Sequence, residues 1–504
     1  MMQRVTSGKS ARRCWIGLAT LVSPSAVLAA QIPGATSRLQ PYFDASVLQK
    51  VQSTAVTASA ASPPQAWPEY TEGSSNAWVF QPETDWTSAF FSDELYALDK
   101  RYAALCPGDG TKSEFDWRGA ARLWSAGLYN PSAAVLASWG HDVGFNTAPM
   151  LAELALDSAN ETARQAVVSN AEALASLFSP VVGCTRSWDR GPDNFEVIID
   201  NMMNLPLLLA AADLTGNTTY RTMAESHANK TIENHIRVDG GSFHVVDYSP
   251  TTGEVQWRGA AQGYSNSSTW SRGQAWGILG FALLYNATGV PLYLETSGRM
   301  ATYFQNHLDN STAIAPWDFD APAPITFDTS ASVIAAAAML VLSSHEAGRG
   351  NTTGSDYWAS SGQALLVNTA NVGLYGAVNG HTWTGDSILG YATVNNRADP
   401  PNNNTGAIYG DSYFVHAGNQ LLSLGLVNCS SGSPAAGASR TGLSSALVTF
   451  ANSTNSLPTT SQDASAGQAA ASTTTPSPTS NGFRSGAYVG LSALTIICAS
   501  LLAA

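Results

Sequence analysis

Apolar residues recur at helical spacing in one long segment after another. The pattern predicts helices over residues 162–178, 219–236, 274–285, 291–308, 329–348 and 409–426. Their ends carry matching signals. Asn217 is placed to cap the second, and Pro291 stands at the first helical position of the fourth. The fifth, "TSASVIAAAAMLVLSSHEAG", starts on Ser/Thr caps and closes on a glycine. Strand signals are few; "GSFHVVDYSP" alternates and ends in a turn. Many helices with few strands predict an all-α body of stacked helical hairpins closing into a ring.

One segment breaks the apolar rule. "EVIIDNMMNLPLLLAAADLTG" is almost wholly apolar, yet Asp200 and Asn201 sit inside it. Read as one helix, it places Glu196, Asp200, Asn204 and Leu207 near one face, with a kink expected at Pro206. A buried unpaired carboxylate is costly, so it takes up a proton or finds a partner. Asp200 is therefore either a cap near a helix start or an acid kept there for chemistry.

The chain ends differ from the body. Residues 1–30 carry a basic start, an apolar run and the small-residue ending "SAVLAA", the form of a secretory signal peptide. Residues 31–75 are mixed in composition and read as a loose lead-in, and the folded body is expected over 76–430. Residues 431–485 are rich in Ser, Thr, Ala, Gly and Pro and read as a glycosylated stalk. Residues 486–504 are apolar to the last residue, which fits a GPI-attachment tail better than a membrane-spanning helix. The chain is thus expected at the cell surface or secreted. Sequons at Asn160, Asn217, Asn229, Asn266, Asn286, Asn310, Asn351, Asn403, Asn428 and Asn452 are compatible with that route. Without the two ends, Cys106, Cys184 and Cys429 remain, enough for one disulfide and one free thiol of undetermined pairing.

Charge narrows the partners. The 504 residues hold 24 Lys+Arg against 37 Asp+Glu, a net charge of −13, with no basic run. That argues against nucleic acid and anionic membrane surfaces. An anionic ligand must be captured locally. No CxxC or HExxH spacing suggests a metal site, and no cofactor is expected.

Two further segments carry candidate chemistry. "SWGHDVGFNTAPM" places His141 and Asp142 before a glycine. "WRGAAQGYSNSSTWSRGQAWG" gathers Trp257, Tyr264, Trp270 and Trp276 around Gln262, Arg272 and Gln274. Flat aromatic faces, amides and one guanidinium suit recognition of sugars and carboxylates.

Taken in order, "WTSAFF", "HDVGF", "DNMMNLPLL", "FHVVD", "QGY" and "WSRGQAWG" resemble glycoside hydrolase family 88, the unsaturated glucuronyl hydrolases. The resemblance spans residues 78–426, and the unsaturated rhamnogalacturonyl hydrolases are its nearest neighbours. It implies an (α/α)6 barrel. It matches Asp200 to the general acid/base and Asp142 to the second essential aspartate. It also matches His244, Gln262, Arg272, Trp276, Trp86 and Trp188 to substrate-binding positions. The first motif departs from the family form WTSGFFPG at Ala89, Ser92 and Asp93, which bears on the rim and the second sugar. The implied substrate is a monomeric enzyme's oligosaccharide ending in a 4,5-unsaturated uronic acid. Asp200 would protonate C4, and Asp142 would stay ionised or share a hydrogen bond. The rivals are a wall-anchored sugar-binding protein on a catalytically dead barrel and a hydrolase of saturated glycosides.

Overall fold

The computed structural model describes residues 39–57, 64–107, 115–376 and 380–429. The expected signal peptide, the stalk and the apolar tail lie outside them. In chain order the described helices begin with α1 (Ala45–Thr57), α2 (Phe90–Lys100), α3 (Trp117–Ser125), α4 (Ala133–Trp139), α5 (Val143–Asn146) and α6 (Ala148–Leu156). They continue with α7 (Glu161–Ser176), α8 (Leu205–Thr215), α9 (Thr218–Asn234), α10 (Ser271–Thr288) and α11 (Pro291–Asn306). The last are α12 (Thr329–Gly348), α13 (Thr352–Gly373) and α14 (Ile408–Ser423).

Neighbour relations close these helices into a ring. α2 packs on α14, α14 on α12, α12 on α10, α10 on α8, α8 on α5, and α6 back on α2. Outside them α3, α7, α9, α11 and α13 cover α2, α6, α8, α10 and α12 in turn. The result is an α/α barrel. Inner helices are hidden on nearly every side, so they are apolar all round and not striped. α12 shows this best. Its length and composition would suit a membrane span, yet 78% of its apolar window is buried inside the protein.

Local sequence sets the helix ends. Asn160, Asn217 and Asn351 each accept a backbone N–H at the start of α7, α9 and α13. Three of the sequon asparagines therefore also serve as caps. Asp328, not a following Ser or Thr, caps α12 by accepting from the Ser330 and Ala331 amides.

The segment around Asp200 is not one kinked helix. Phe195–Ile198 is a strand, Ile199–Met203 is a 3-10 turn, and α8 starts only at Leu205. Pro206 falls in the first turn of α8, where no intrahelical N–H is required, so it starts the helix and does not bend it. Glu196 consequently lies on the strand, opposite Asp247, and shares no helical face with Asp200.

Residues 39–57 and 64–75, expected as a loose lead-in, are part of the body. Tyr42, Val47, Val51 and Trp67 are buried in the main core. Arg101 explains the attachment. Its guanidinium donates to the Tyr42 carbonyl (2.8 Å), the Val415 carbonyl (2.7 Å) and Asn419 Oδ1 (2.8 Å). One buried side chain thus joins the amino-terminal segment to α2 and α14. Cys106 and Cys429 form a disulfide across the same region, and Cys184 is free and buried.

Arg101→Ala would strand three buried acceptors. It should cost about 3–5 kcal/mol, the range for removing one partner of a buried charged network. A urea titration followed by circular dichroism would show it as a lower midpoint; an unchanged midpoint would refute the role given to Arg101.

Candidate active site

The residues singled out by the sequence converge where the inner helices begin. Trp86 precedes α2, and Asp142 directly precedes α5. Asp200 lies in the turn before α8. Trp270 and Arg272 open α10, Asp328 caps α12, and Tyr409 opens α14. Two antiparallel sheets frame this end: Phe195–Ile198 with Val245–Tyr248 and Val255–Gly259, and the hairpin of Ala392–Asn395 with Asn402–Thr405.

Close backbone approach brings the aspartates together. A Cβ on Gly144 would run into Asn204, so only glycine lets the start of α5 touch the Asp200 turn. The Phe145 amide donates to Asn204 Oδ1 (3.2 Å) and fixes that contact. On the other side, a glycine stripe on α10 receives the same turn. Side chains at Gly273 or Gly280 would collide with Ile199 or Met202.

Burial decides the charge of the pair. The Asp200 carboxyl is pushed up to about 7, first by desolvation and then by the Asp142 charge; Arg272 and His141 oppose this. Asp142 is pushed up to about 8, by desolvation and then by Asp85. Its side chain keeps 18% exposure, so burial does not seal it. Of the two states expected for Asp142, ionised or sharing a hydrogen bond, burial disfavours the ionised one, since both carboxyls are raised.

The histidines around the pair are neutral. Burial lowers His141 to about 4 and His244 to about 3. His244 Nδ1 accepts from the amides of Ala261 (3.3 Å) and Gln262 (3.2 Å). Its one proton therefore sits on Nε2, which faces Asp200 Oδ2 at 3.7 Å. His141 Nε2 lies 3.4 Å from Asp142 Oδ1. Trp188 stands between the two imidazoles, edge-on to His141 (6.1 Å) and His244 (6.0 Å).

Arg272 departs from its expected part. Both of its Nη atoms are committed: Nη1 to Asp328 (2.7 Å) and the Thr393 carbonyl (2.5 Å), Nη2 to Gln262 Oε1 (3.0 Å) and the Val394 carbonyl (2.7 Å). Its plane lies between Trp270 (4.6 Å) and Tyr409 (5.1 Å). No fork remains for a ligand carboxylate. Arg272 is a clamp that holds the 392–395 strand, the α12 cap and Gln262 in one arrangement.

Trp86 stacks on Tyr409 at 5.3 Å and meets Phe90 and Phe145 edge-on. Trp276 is fully buried, against Phe145 and Tyr413, and so lies in a layer beneath the site instead of on its wall. Trp257 and Tyr264 are not grouped around Arg272; both are exposed. Ala89, Ser92 and Asp93 do not reach the rim. They are buried, and Asp93 pairs with His416 (2.7 Å) and Ser412 (3.1 Å) inside the barrel. Asp85, Asp328 and Tyr409 were missed by the sequence reading. Only Asp328 left a signal, as an Asp preceding a helical run.

Several buried polar atoms without a protein partner gather here: Asp200 Oδ2, His244 Nε2, Arg272 Nε, Trp276 Nε1 and Tyr409 Oη. Such atoms are rare, and their clustering marks a place for polar ligand groups.

No protein-family model matches the chain. It is 31% identical over 346 residues to an unsaturated glucuronyl hydrolase of Formosa agariphila, covering 67% of this chain and 80% of that one. The chain belongs to the unsaturated glucuronyl hydrolases. The solved unsaturated glucuronyl hydrolase from Bacillus sp. GL1, responsible for the degradation of glycosaminoglycan, superposes with a TM-score of 0.63 at 26% identity. The match covers 76% of this chain and 96% of that one. A structure of such a hydrolase with dGlcA-Glc-Rha-Glc gives 0.63 at 27% identity, covering 76% and 96%. Membership in the unsaturated glucuronyl hydrolases also makes this chain a glycoside hydrolase with a helical barrel.

Raised carboxyls give a defined pH dependence to stability. Between the unfolded value near 4 and the folded values, the native state binds more protons. Stability is therefore present at low pH and lost as pH rises through about 7 to 8. Asp142→Asn should remove this loss and stabilise the protein at pH 8 by on the order of 2 kcal/mol, with little gain at pH 4. Thermal unfolding across that range would test it; equal shifts at both pH values would contradict the assignment.

Proposed function

We propose that this chain releases a 4,5-unsaturated uronic acid from the non-reducing end of lyase-generated oligosaccharides by hydrating the vinyl-ether double bond. The observation that carries the reading is the buried pair of carboxyls, both raised toward neutral pH, with Asp200 facing neutral His244. An electron-rich alkene needs a proton donor at neutral pH, and a carboxyl near its working pH is suited to that.

The steps balance as follows. Asp200 gives its proton to C4, and positive charge develops at C5 and the ring oxygen. Water adds its oxygen to C5 while Asp200, now a carboxylate, takes the water proton. The C5 hemiketal opens to a ketone, and the hemiacetal left at C1 expels the leaving sugar as an alcohol. His244 Nε2–H faces the Asp200 oxygen that becomes charged, so it stabilises the carboxylate as it forms. Where Asp142 ionises, its charge disfavours the carboxylate form of Asp200 and keeps Asp200 from ionising early. Trp86 and Trp188 offer apolar faces to the ring. The separation rule for retaining and inverting enzymes does not apply, because C1 is never attacked.

We further propose a secreted or cell-surface enzyme that acts as a monomer; the leader-like residues 1–30 and the disulfide Cys106–Cys429 support an oxidising compartment. Release from intact cells by a phosphatidylinositol-specific phospholipase tests the proposed anchor, and its failure would reject it.

Asp200→Asn should lower turnover roughly a thousandfold, within the span of general acid–base contributions, while unfolding stays cooperative. The readout is loss of the conjugated-alkene ultraviolet absorbance across unsaturated disaccharides from hyaluronan, chondroitin, gellan, xanthan and pectin. In the wild type the rate should fall as pH rises through about 7 to 8, where the pair gives up its protons. Binding of every disaccharide without absorbance loss would favour the non-catalytic alternative.

A further inference from the structure

The two aromatics that the site did not absorb point to a second binding region. Trp257 is 40% exposed and Tyr264 50% exposed. They bracket the segment 260–263, whose residues 261 and 262 contact the active site. The Ala261 and Gln262 amides hold His244, and the Gln262 side chain accepts from Arg272. Trp257 stands five residues before Gln262, at most roughly 18 Å of extended chain away. Tyr264 follows Gln262 by two residues.

The segment is held firmly. Arg397 Nη1 donates to the Ala260 carbonyl (3.1 Å) and more weakly to that of Gly263 (3.4 Å). The Tyr264 amide donates to Asp318 Oδ2 (2.8 Å), which also accepts from Ser268 (2.7 Å). The Trp257 ring lies over Gly259 and beside Asn266, because a Cβ at Gly259 would collide with both. Two large aromatic side chains are thus kept in water on a fixed backbone. Around them stand an exposed amide and hydroxyl, Asn266 and Ser267, and the half-buried Ser265. Exposed flat apolar faces interleaved with hydrogen-bonding groups suit the C–H faces and hydroxyls of neutral sugars.

We propose that Trp257 and Tyr264 form a distal platform that stacks the leaving portion of the oligosaccharide, beyond the sugars held at the aspartate pair. The proposal rests on the hydrolase reading above and extends it to substrate length. The occupant follows from continuity. Ala261 and Gln262 hold His244 and meet Arg272 at the reacting end, and Trp257 and Tyr264 stand on either side of them in the same run of chain, so an oligosaccharide leaving the site along this run meets them next.

The test compares an unsaturated disaccharide with an unsaturated tetrasaccharide of the same polysaccharide, using the full chain and the alkene absorbance. For the Trp257→Ala, Tyr264→Ala double variant, KM for the tetrasaccharide should rise about five- to tenfold, on the scale of lost aromatic stacking. The ratio of tetrasaccharide to disaccharide kcat/KM should fall with it, and Trp257→Phe should restore most of the ratio. An unchanged ratio, or an equal loss for both substrates, would overturn the platform. Calorimetry in an Asp200→Asn background reads the same length dependence without turnover. If the wild type hydrolyses neither substrate but affinity still grows with length and depends on Trp257, the catalytic reading fails and the platform stands. If affinity does not grow with length, the platform fails.

Discussion

Two carboxyl groups taken out of water together set the terms for this barrel. Leaving both ionised at that depth would cost several kcal/mol for each ion, and mutual repulsion would add to it. The obvious remedy, a cation beside them, is withheld: Arg272 lies close enough to oppose the shift but has committed both Nη groups elsewhere. The remaining remedy is a proton. A structure that needed only stability would replace the pair by apolar residues. This one instead spends a glycine at position 144 and a glycine stripe on α10 to press the two segments together. The strain on stability and the availability of an acid are therefore one physical fact.

Arg272 shows how a charged residue can serve a site without touching a ligand. A buried guanidinium is tolerated only when its donors are met, and here a carboxylate, an amide and two carbonyls meet the four Nη donors. Because those acceptors come from α12, the 392–395 strand and the Gln262 loop, satisfying one side chain fixes three separate segments. The Gln262 loop then fixes the His244 tautomer through its amides. Orientation passes from an ion pair to an imidazole to the acid, each link a hydrogen bond or a short polar contact.

The legible parts of the sequence were those governed by local rules. Long apolar periods with caps gave α7, α9, α11 and α12 to within a few residues, because such helices carry their own start and stop chemistry. The Asp200 segment misled for a local reason too: an apolar run suits a buried strand, a 3-10 turn and a buried helix alike, and Pro206 reads as a kink or a start depending on where the helix begins. Asp200, Asp142, His244 and Gln262 were recoverable because motif order tied them to known hydrolases. Asp85, Tyr409 and the clamp on Arg272 were not. Their roles depend on contacts across more than 50 residues of chain, or on which donors of one side chain are already used, and neither is written in spacing. The lead-in was misjudged because its attachments reach far along the chain, from Arg101 59 positions away to the carbonyls of Leu366, Gly385 and Ser387 more than 300 positions away.

The acidity of the chain finally makes sense against the geometry. With a net charge of −13, the overall field repels an anionic sugar. Yet the site sits where inner helices begin, and each helix start carries roughly half a positive charge in its unpaired amides. Asp328 takes up that field at α12. At α8 and α14 no side chain caps the first turn, but α14 carries Asp411 within it. The same field favours ionised Asp200 and Asp142, so it works against their protonation. That both carboxyls remain raised shows desolvation to be the larger effect. Burial therefore outweighs the helix field at the pair and keeps the carboxyls raised for the alkene.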